Sequence, residues 1–291
     1  KDPLDDDGEG KEGVITMTTE KTYIHLYVAT FNEGDIITID WGDGDPEEFK
    51  SFKVYQDWDE DEIHYVLSTD DIEHKYSNKN PHIVTIKGNI KRLDCGGNNL
   101  TSLDVSKNTA LTELNCSGNN LTSLDVSKNT ALTWLDCGGN NLTSLDVSKN
   151  TALTELDCYD NNLTSLDVSK NTALTDLFCR ENNLTSLNVS GCTALTELDC
   201  YDNNLTSLNV SGCTALTDLN CSRNDLTSLD VSGCTALTDL SCGRNNLTSA
   251  ALNQIFRDLP QVTSGTIYMN SNPGTETCDK SIAENKGWWV I

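Results

Sequence analysis

Apolar residues recur along most of this chain with a period of 21 residues, from Asn89 to about Leu247. One copy, LTELNCSGNNLTSLDVSKNTA, opens at Leu111, and a close copy of it opens at Leu132. Self-similarity at a fixed period of this size indicates a solenoid, because one repeat cannot bury its apolar face alone and stacked repeats can. In the copy that opens at Leu111, the residues expected to point inward are Leu111, Leu114, Cys116, Leu121, Leu124 and Val126.

The segment before the repeats has a different pattern. Apolar and polar residues alternate over residues 24–28, 37–41 and 82–87, where Ile83 is expected to point inward. Alternation with a period of two predicts half-buried strands, here forming a small antiparallel sandwich over residues 11–89. Residues 1–10 are acidic and poor in apolar side chains, so we expect a disordered tether. Because strand 82–87 runs directly into Ile90, the sandwich is expected to cover the open end of the first repeat.

The segment after the repeats predicts a small α+β cap over residues 250–291. Residues 250–259 have helical spacing and end at Pro260, and one further repeat strand passes through Ile267 and Met269. A short helix over 279–286 and a last strand over 288–291 complete the cap, whose aromatic residues are expected to pack inside it. The solenoid itself then occupies residues 90–249, in about eight repeats.

Charge limits the classes of partner. The formal net charge is −25, and both halves of the chain are acidic. Nucleic acids and anionic lipids bind clusters of Lys and Arg, so neither is expected as a partner. No run of 18 apolar residues is present, and the chain opens at Lys1 without Met. We expect a processed form that lacks its signal segment.

Most of the twelve cysteines follow the repeat. Eight of them lie 21 residues apart, three more form a second series, and Cys278 stands alone. Cysteines stacked at the strand spacing of about 4.8 Å lie farther apart than a disulfide prefers. We therefore predict buried thiols that act as small apolar side chains, with no disulfide, metal or cofactor. The two series are Cys95, Cys116, Cys137, Cys158, Cys179, Cys200, Cys221 and Cys242, and then Cys192, Cys213 and Cys234.

Two polar positions of the repeat also recur. Asn119 and its equivalents are expected to turn the chain and to bond to buried backbone groups. Asp104 and three equivalents would stack as like charges, and each has a lysine three residues later, as Lys107 follows Asp104. Compensation by these lysines explains the row better than calcium does.

The repeat motif, LxxLxCxxNxL followed by LxxLDVS, resembles the 21-residue class of bacterial leucine-rich repeats found in internalin-like and BspA-like surface adhesins. The resemblance covers about 160 residues. It implies two short parallel strands per turn and hence two parallel sheets along the solenoid. It also implies adhesion to a host protein, to matrix or to another microbe, at the cell surface.

The N-terminal segment resembles the PKD-like, immunoglobulin-like domains of bacterial surface proteins. The residues that carry this resemblance are the WGDG sequence at 41–44, the HKY sequence at 74–76 and the strand HIVTIKG. The acidic insertion at 56–62 departs from that pattern. Calcium at Asp40, Asp43 and Asp45 is a weaker alternative to simple turn chemistry. The resemblance implies a spacer, and the tether looks like the segment that follows the lipidated cysteine of surface lipoproteins.

The repeats differ mainly at the outward positions of the LxxLxC strand, whereas the outward residues of LxxLDVS hardly vary. The large exceptions cluster in consecutive repeats, where we expect one exposed patch within an acidic rim. Exposed Trp, Tyr and Arg are typical of interface anchors, although solvent-facing positions can also drift. The candidate ligand-binding residues are Trp134, Tyr159, Phe178, Arg180 and Tyr201.

Catalysis has little support in the sequence. All four histidines precede the repeats, and the chain lacks the motifs of nucleophile elbows, zinc proteases and phosphate loops. We predict a non-catalytic, monomeric binding protein that recognises a protein ligand. A glycan-binding module and a structural spacer are the alternatives.

Overall fold

The computed structural model describes residues 13–55, 63–66 and 72–291. The predicted tether at 1–10 and the acidic insertion at 56–62 lie outside the described residues. Within them, the chain is mainly β: an antiparallel region, then a long stack of short parallel strands, then two helices and two further strands. The strands that precede the repeats are β1 (Val14–Thr19), β2 (Tyr23–Thr30), β3 (Ile36–Asp40), β4 (Glu47–Lys50), β5 (Phe52–Tyr55), β6 (Ile63–Val66), β7 (Ile72–Lys75) and β8 (His82–Lys87).

One short strand per repeat builds the largest sheet, called here the main sheet. These strands pair in parallel and in register, with Leu114 beside Leu93 on one side and beside Leu135 on the other. They are β9 (Ile90–Asp94), β11 (Glu113–Asn115), β12 (Trp134–Asp136), β13 (Glu155–Asp157), β14 (Asp176–Phe178), β16 (Glu197–Asp199), β18 (Asp218–Asn220) and β19 (Asp239–Ser241), followed by β20 (Gly265–Tyr268) and β21 (Trp288–Val290).

The predicted second parallel sheet is wrong for most of the solenoid. Of the LxxLDVS segments, only β15 (Ser186–Asn188) and β17 (Ser207–Asn209) pair with each other, and β10 (Leu100–Asp104) pairs antiparallel with β1. The two repeats that do pair carry Asn188 opposite Asn209, where most other repeats carry Asp. The facing charge alone does not account for this difference, because the main sheet pairs in register with carboxylates directly opposite one another, such as Asp136 and Asp157.

The N-terminal strands continue the two faces of the solenoid. Strand β2 pairs antiparallel with β9, and β1 pairs antiparallel with β10, so each layer of the N-terminal region joins one face of the first repeat. The five-stranded sheet has the order β10-β1-β8-β3-β4. The expected cover over the first repeat is therefore present as antiparallel pairing, while the PKD-like assignment of this region stays a prediction.

The side chains of β8 point the other way from the prediction. Ile83 is 60% exposed, whereas Val84 and Ile86 are fully buried. Strand β8 lies between β1 and β3, where Val84 is opposite Met17 and Ile86 is opposite Ile15. Because residues 83, 84 and 86 are all apolar, alternation alone does not decide which face of β8 is buried. Packing against β1 and β3 buries the face that carries two apolar residues, Val84 and Ile86.

The core of the solenoid is made of the predicted apolar positions. Leu114, Cys116, Leu121 and Val126 are fully buried, and equivalents in the other repeats repeat this burial. All twelve cysteines are free, and eleven of them are buried as predicted. Burial raises the pKa of the Cys158 thiol well above its usual value, so this side chain packs as a neutral group.

A ladder of buried asparagines holds successive turns together. The Asn119 amide donates to the carbonyls of Cys95 (3.0 Å) and Cys116 (2.9 Å). Its oxygen accepts from the backbone N–H groups of Asn98 (3.0 Å) and Leu100 (2.9 Å). Each asparagine thus satisfies backbone groups of its own turn and of the preceding turn, which confirms the role predicted for this position. The ladder comprises Asn98, Asn119, Asn140, Asn161, Asn182, Asn203, Asn224 and Asn245, and Asn272 extends it into the cap.

A second ladder changes residue type part-way along the solenoid. The Asn129 amide donates to the carbonyls of Val105 (3.0 Å) and Asn108 (2.8 Å). From Cys192 onward the same position is cysteine, and the Cys192 thiol lies 3.7 Å from the carbonyl of Val168. The second cysteine series therefore replaces an asparagine series, in the same place and toward equivalent carbonyls.

The C-terminal region closes the stack. Helix α1 (Ser249–Asp258) begins at Thr248, whose hydroxyl accepts from the backbone of Ala251, and it buries Ile255 and Phe256. Strand β20 pairs with β19 and β21 pairs with β20, as the cap prediction requires, and α2 is a single turn (Ser281–Glu284).

The two tryptophans of the cap differ in environment. Trp288 is buried and its indole N–H donates to the carbonyl of Pro260, as expected for packing inside the cap. Trp289 is 72% exposed, so the packing prediction is wrong for this residue, because adjacent residues of a strand face opposite sides.

Candidate functional site

The candidate residues share the outward side of the main sheet, which we call the front face. In the main-sheet strands β11, β12, β13, β14, β16, β18 and β19 the central leucine is buried, and the residues on both sides of it point outward. The register aligns these outward residues in columns, with Trp134 next to Glu155 in the first column and Phe178 between Asp157 and Asp199 in the second. Tyr159, Arg180 and Tyr201 follow their strands by two residues and form a third column.

Tyr159 and Arg180 pair in adjacent repeats. The guanidinium carbon of Arg180 lies 4.9 Å from the centre of the Tyr159 ring, a distance at which cation–π attraction acts. The ring also covers Gly138 of the preceding repeat, where a Cβ atom would lie 2.1 Å from a ring carbon. The glycine at 138 thus makes room for the tyrosine at 159.

Tyr201 pairs with an arginine that the sequence analysis did not select. The guanidinium of Arg223 lies over the Tyr201 ring, 5.8 Å from its centre, and donates to the tyrosine hydroxyl at 3.3 Å. Arg223 also forms an ion pair with Asp202 at 2.6 Å. The backbone of Arg223 has a φ of 55°, and the equivalent residues Asp160, Glu181, Asp202 and Arg244 also have positive φ values, between 47° and 55°.

Trp134 belongs to a cluster that reaches into the N-terminal region. The guanidinium carbon of Arg92 lies 5.8 Å from the centre of the Trp134 ring and 5.3 Å from that of Tyr27. Arg92 also pairs with Glu113 at 3.2 Å. Strand β2 contributes Tyr27 directly because it pairs with β9, so the front face continues beyond the solenoid.

Carboxylates occupy most of the remaining front face. Burial raises the pKa of Asp157 to about 6, and burial also raises the pKa of Asp199. The pKa of Glu197 is raised by burial first, and then by neighbouring carboxylates, of which Asp218 acts most strongly. A shallow cavity on this face is lined by acidic and amide side chains of β16, β18 and β19, including Glu197 and Asp239.

The structure therefore divides the predicted patch into separate pairs. Tyr159 with Arg180, Tyr201 with Arg223, and Trp134 with Arg92 are three such pairs, and Phe178 lies on the same face without an arginine over its ring among the described residues. Arg180 is exposed, and the four aromatic residues are half-buried. The partners that sequence reasoning missed are Tyr27, Arg92, Asp202 and Arg223. The spacing of one repeat marks Tyr159 with Arg180, but Arg223 lies 22 residues after Tyr201, so the period did not point to it.

The opposite side of the solenoid is uniform and locally satisfied. The Asp125 carboxylate accepts from the backbone N–H of Ser127 at 2.9 Å, and equivalent bonds recur at Asp104, Asp146 and Asp167. Hydrogen bonds from Ser127 lower the pKa of Asp125, and the charge of Lys128 adds a smaller effect in the same direction. Serine, more than lysine, thus stabilises these carboxylates, and among the described residues no lysine comes within 4.0 Å of them.

The histidine that carries part of the PKD-like resemblance lies in an aromatic stack. His74 stacks on Trp41 with ring centres 4.7 Å apart, and Tyr76 stacks on His82 at 3.7 Å. His74 also lies 3.1 Å from the carboxylate of Asp43, and the Tyr76 hydroxyl donates to the carbonyl of Trp41. These contacts fold the turn at 41–44 against the adjacent strand.

The part of the chain that the structure describes contains neither a cluster of metal ligands nor a membrane-spanning helix. No group of three or more His, Cys, Asp or Glu side chains is arranged to hold a metal ion. No helix there has the length and apolar character needed to cross a membrane.

Comparison with known proteins agrees with this geometry. A leucine-rich repeat family model matches residues 201–219, and no curated protein sequence matches the chain. The functional domain of InlJ from Listeria monocytogenes is 42% identical, with a TM-score of 0.58, over 67% of this chain and 47% of that one. That domain includes a cysteine ladder. The chain is a leucine-rich repeat protein.

Two further leucine-rich repeat structures share the fold. A leucine-rich repeat protein of Leptospira interrogans is 21% identical, with a TM-score of 0.55, over 68% of this chain and 59% of that one. Internalin C2 of Listeria monocytogenes is 16% identical, with a TM-score of 0.50, over 63% of this chain and 80% of that one. The chain spans about half the length of the InlJ domain, and its leucine-rich repeats are close to those of bacterial internalin-like structures.

Proposed function

We propose that this leucine-rich repeat protein is a non-catalytic binding protein that recognises another protein through its front face. The observation that carries the proposal is the contrast between the two sides of one solenoid. The front face varies from repeat to repeat and carries Trp134, Tyr159, Phe178, Arg180 and Tyr201, while the opposite side repeats Ser and Asp with Asn only at 188 and 209. The internalin-like repeats of the InlJ domain support a recognition role.

The covered rings favour a protein ligand over a glycan. A sugar stacks on a free aromatic face, but arginines of the chain itself lie over Trp134, Tyr159 and Tyr201. Such pairs expose guanidinium N–H groups beside an aromatic ring, and Tyr and Arg are the residues enriched at the energetic centres of protein interfaces. The glycan-binding module and the structural spacer are the alternatives that the experiment must separate.

We further propose a cell-surface or secreted location for the protein, with the N-terminal region acting as a PKD-like spacer between the surface and the repeats. Support comes from the resemblance of its motifs and from the antiparallel pairing of β1 and β2 with the first repeat. A lipid anchor through the tether belongs to the same proposal.

The test is a screen of host extracellular proteins in parallel with a glycan array. The wild-type chain is compared with a Trp134→Ala, Phe178→Ala variant and with a control variant, Ser123→Ala, Asp125→Asn, on the opposite side. We expect a protein ligand whose Kd rises at least 10-fold for the front-face variant, corresponding to about 1.4 kcal/mol or more, and less than 2-fold for the control. If a confirmed ligand still binds the front-face variant but no longer binds the control variant, the proposal is wrong. Binding to glycans alone would support the glycan-binding alternative.

A further inference from the structure

Phe178 differs from the other large aromatic residues of the front face. Arginines lie over the rings of Tyr159, Tyr201 and Trp134, at 4.9, 5.8 and 5.8 Å from the ring centres. Within the described residues, no lysine or arginine lies over the ring of Phe178. The chain therefore supplies its own cation to three rings and leaves the fourth without one.

Two carboxylates flank the Phe178 ring. Asp157 on β13 and Asp199 on β16 are its register partners on either side, so each lies one strand spacing away, at about 4.8 Å between backbones. Each carboxylate uses one oxygen to accept from a backbone N–H, that of Tyr159 at 3.2 Å and that of Tyr201 at 3.0 Å. The second oxygen of each carboxylate has no hydrogen-bond donor among the described residues.

The surrounding front face has an excess of negative charge. In the first column, Glu155, Asp176, Glu197, Asp218 and Asp239 follow one another in register, and none of them forms an ion pair with the described residues. Arg180 is the cation whose charge acts on both Asp157 and Asp199, and burial of these two carboxyls outweighs its effect on their pKa values. One arginine does not neutralise seven carboxylates.

We propose that Phe178, Asp157 and Asp199 form the seat for a lysine or arginine side chain of the protein partner, and that the partner presents a basic surface to the acidic columns around it. The proposal rests on the proposed function and specifies the chemistry of the partner. A cation over the ring gains cation–π attraction, and the free carboxylate oxygens accept its N–H groups. Complementary charge on a partner also relieves the repulsion among the stacked carboxylates.

The experiment measures binding of a nine-residue peptide with four lysines, labelled with a fluorophore, by fluorescence anisotropy. Its counterpart with all four lysines acetylated has the same length and no side-chain charge. We expect the lysine peptide to bind at least 10-fold more tightly than the acetylated one, and the difference to shrink in 0.5 M salt. Equal binding of the two peptides would overturn the proposal.

Variants locate the seat. The double variant Asp157→Asn, Asp199→Asn removes two charges from the front face, and Asp125→Asn, Asp146→Asn removes two charges from the opposite side of the same solenoid. We expect the first pair to weaken lysine-peptide binding at least 10-fold and the second pair less than 2-fold. Phe178→Leu, which keeps an apolar side chain, should weaken it about 3-fold by loss of the ring. Equal losses in the two double variants would show general attraction to an acidic protein and overturn the seat.

Calcium provides the competing occupant. If millimolar Ca²⁺ binds the wild-type chain, displaces the lysine peptide and fails to bind the Asp157→Asn, Asp199→Asn variant, the site is a metal site and the lysine seat is wrong. We expect millimolar Ca²⁺ to compete no better than Mg²⁺. Failure of the peptide to bind, together with a protein ligand that still depends on Trp134, would refute this seat and leave the proposed function standing.

Discussion

The asparagine ladder allows a sharp test at Asn161, in the middle of the solenoid. The amide of Asn161 lies within hydrogen-bond distance of the carbonyls of Cys137 (3.0 Å), Cys158 (3.3 Å) and Tyr159 (3.1 Å), and its oxygen accepts from the backbone N–H of Leu142 at 2.9 Å. Asn161 is 7% exposed. Replacement by alanine removes every one of these bonds.

The expected cost follows from the number of bonds. The two amide hydrogens can serve two carbonyls at once, so Asn161→Ala loses two donated bonds and one accepted bond, each in a buried place. At about 1–2 kcal/mol per bond, the free energy of unfolding should fall by about 3–6 kcal/mol. Asn162→Ala is the matched control, because Asn162 is exposed and only its backbone bonds to the preceding turn; its effect should stay within about 0.5 kcal/mol.

The assay is urea unfolding under reducing conditions, followed by circular dichroism, with hydrogen exchange of the Leu142 amide as a local readout. Asn161→Asp adds a second check, because its carboxylate keeps the acceptor for Leu142 but faces the carbonyls without a donor; it should be more destabilising than alanine at pH 7 and less so when protonated. A cost below about 1 kcal/mol for Asn161→Ala would refute the view that this ladder joins the turns.

Three further predictions concern the thiols, a front-face carboxylate and a glycine. Thiol-reactive reagents should label Cys278 first and the eleven buried cysteines only on unfolding, as mass spectrometry under native conditions can show, and a reductant should leave the melting temperature unchanged. Burial raises the folded-state pKa of Asp157 to about 6, whereas the unfolded-state pKa is about 3.9. The folded protein therefore binds this proton more tightly, and the resulting gain in the free energy of unfolding is complete below about pH 3.9 and is lost as the pH rises through about 6. Asp157→Asn should therefore raise stability at pH 7.5 relative to wild type, with a gain that disappears below pH 4 in urea unfolding; a gain that grows at acid pH would contradict the burial of this carboxyl. Gly138→Ala should cost about 1–2 kcal/mol because its methyl group meets the Tyr159 ring, and the cost should be smaller by at least about 0.5 kcal/mol in a Tyr159→Ala background; equal costs in both backgrounds would mean that the ring is elsewhere.

The repeat period predicted the solenoid and its core because each inward position recurs in every copy. Leu114, Cys116 and Val126 are buried as the pattern requires, and the role of Asn119 followed from its place at the turn. The cover of the first repeat by N-terminal strands and the extra cap strand were also foreseen from the sequence. These features depend on local spacing, which a single sequence contains.

Other features depend on neighbours that the local pattern does not show. The buried face of β8 could not be predicted because Ile83 and Val84 are both apolar, and only packing between β1 and β3 decides which of the two is buried. The second parallel sheet was predicted from the repeat motif alone, whereas pairing there forms only between β15 and β17, although nearly the same LxxLDVS motif recurs in the other repeats. The pairing of Tyr201 with Arg223 was missed because Arg223 follows its strand β18 and lies 22 residues after Tyr201, one more than the repeat period.

The most direct test of recognition through the front face is side-chain footprinting of the chain with a protein ligand from the screen. Hydroxyl radicals oxidise exposed aromatic side chains, and Trp289, which is 72% exposed on the cap, serves as an internal reference. We predict that binding lowers the oxidation of Trp134, Phe178 and Tyr201 at least 3-fold while Trp289 is unchanged. Unchanged oxidation of these three residues, with protection on the opposite side of the solenoid, would contradict the proposed binding face.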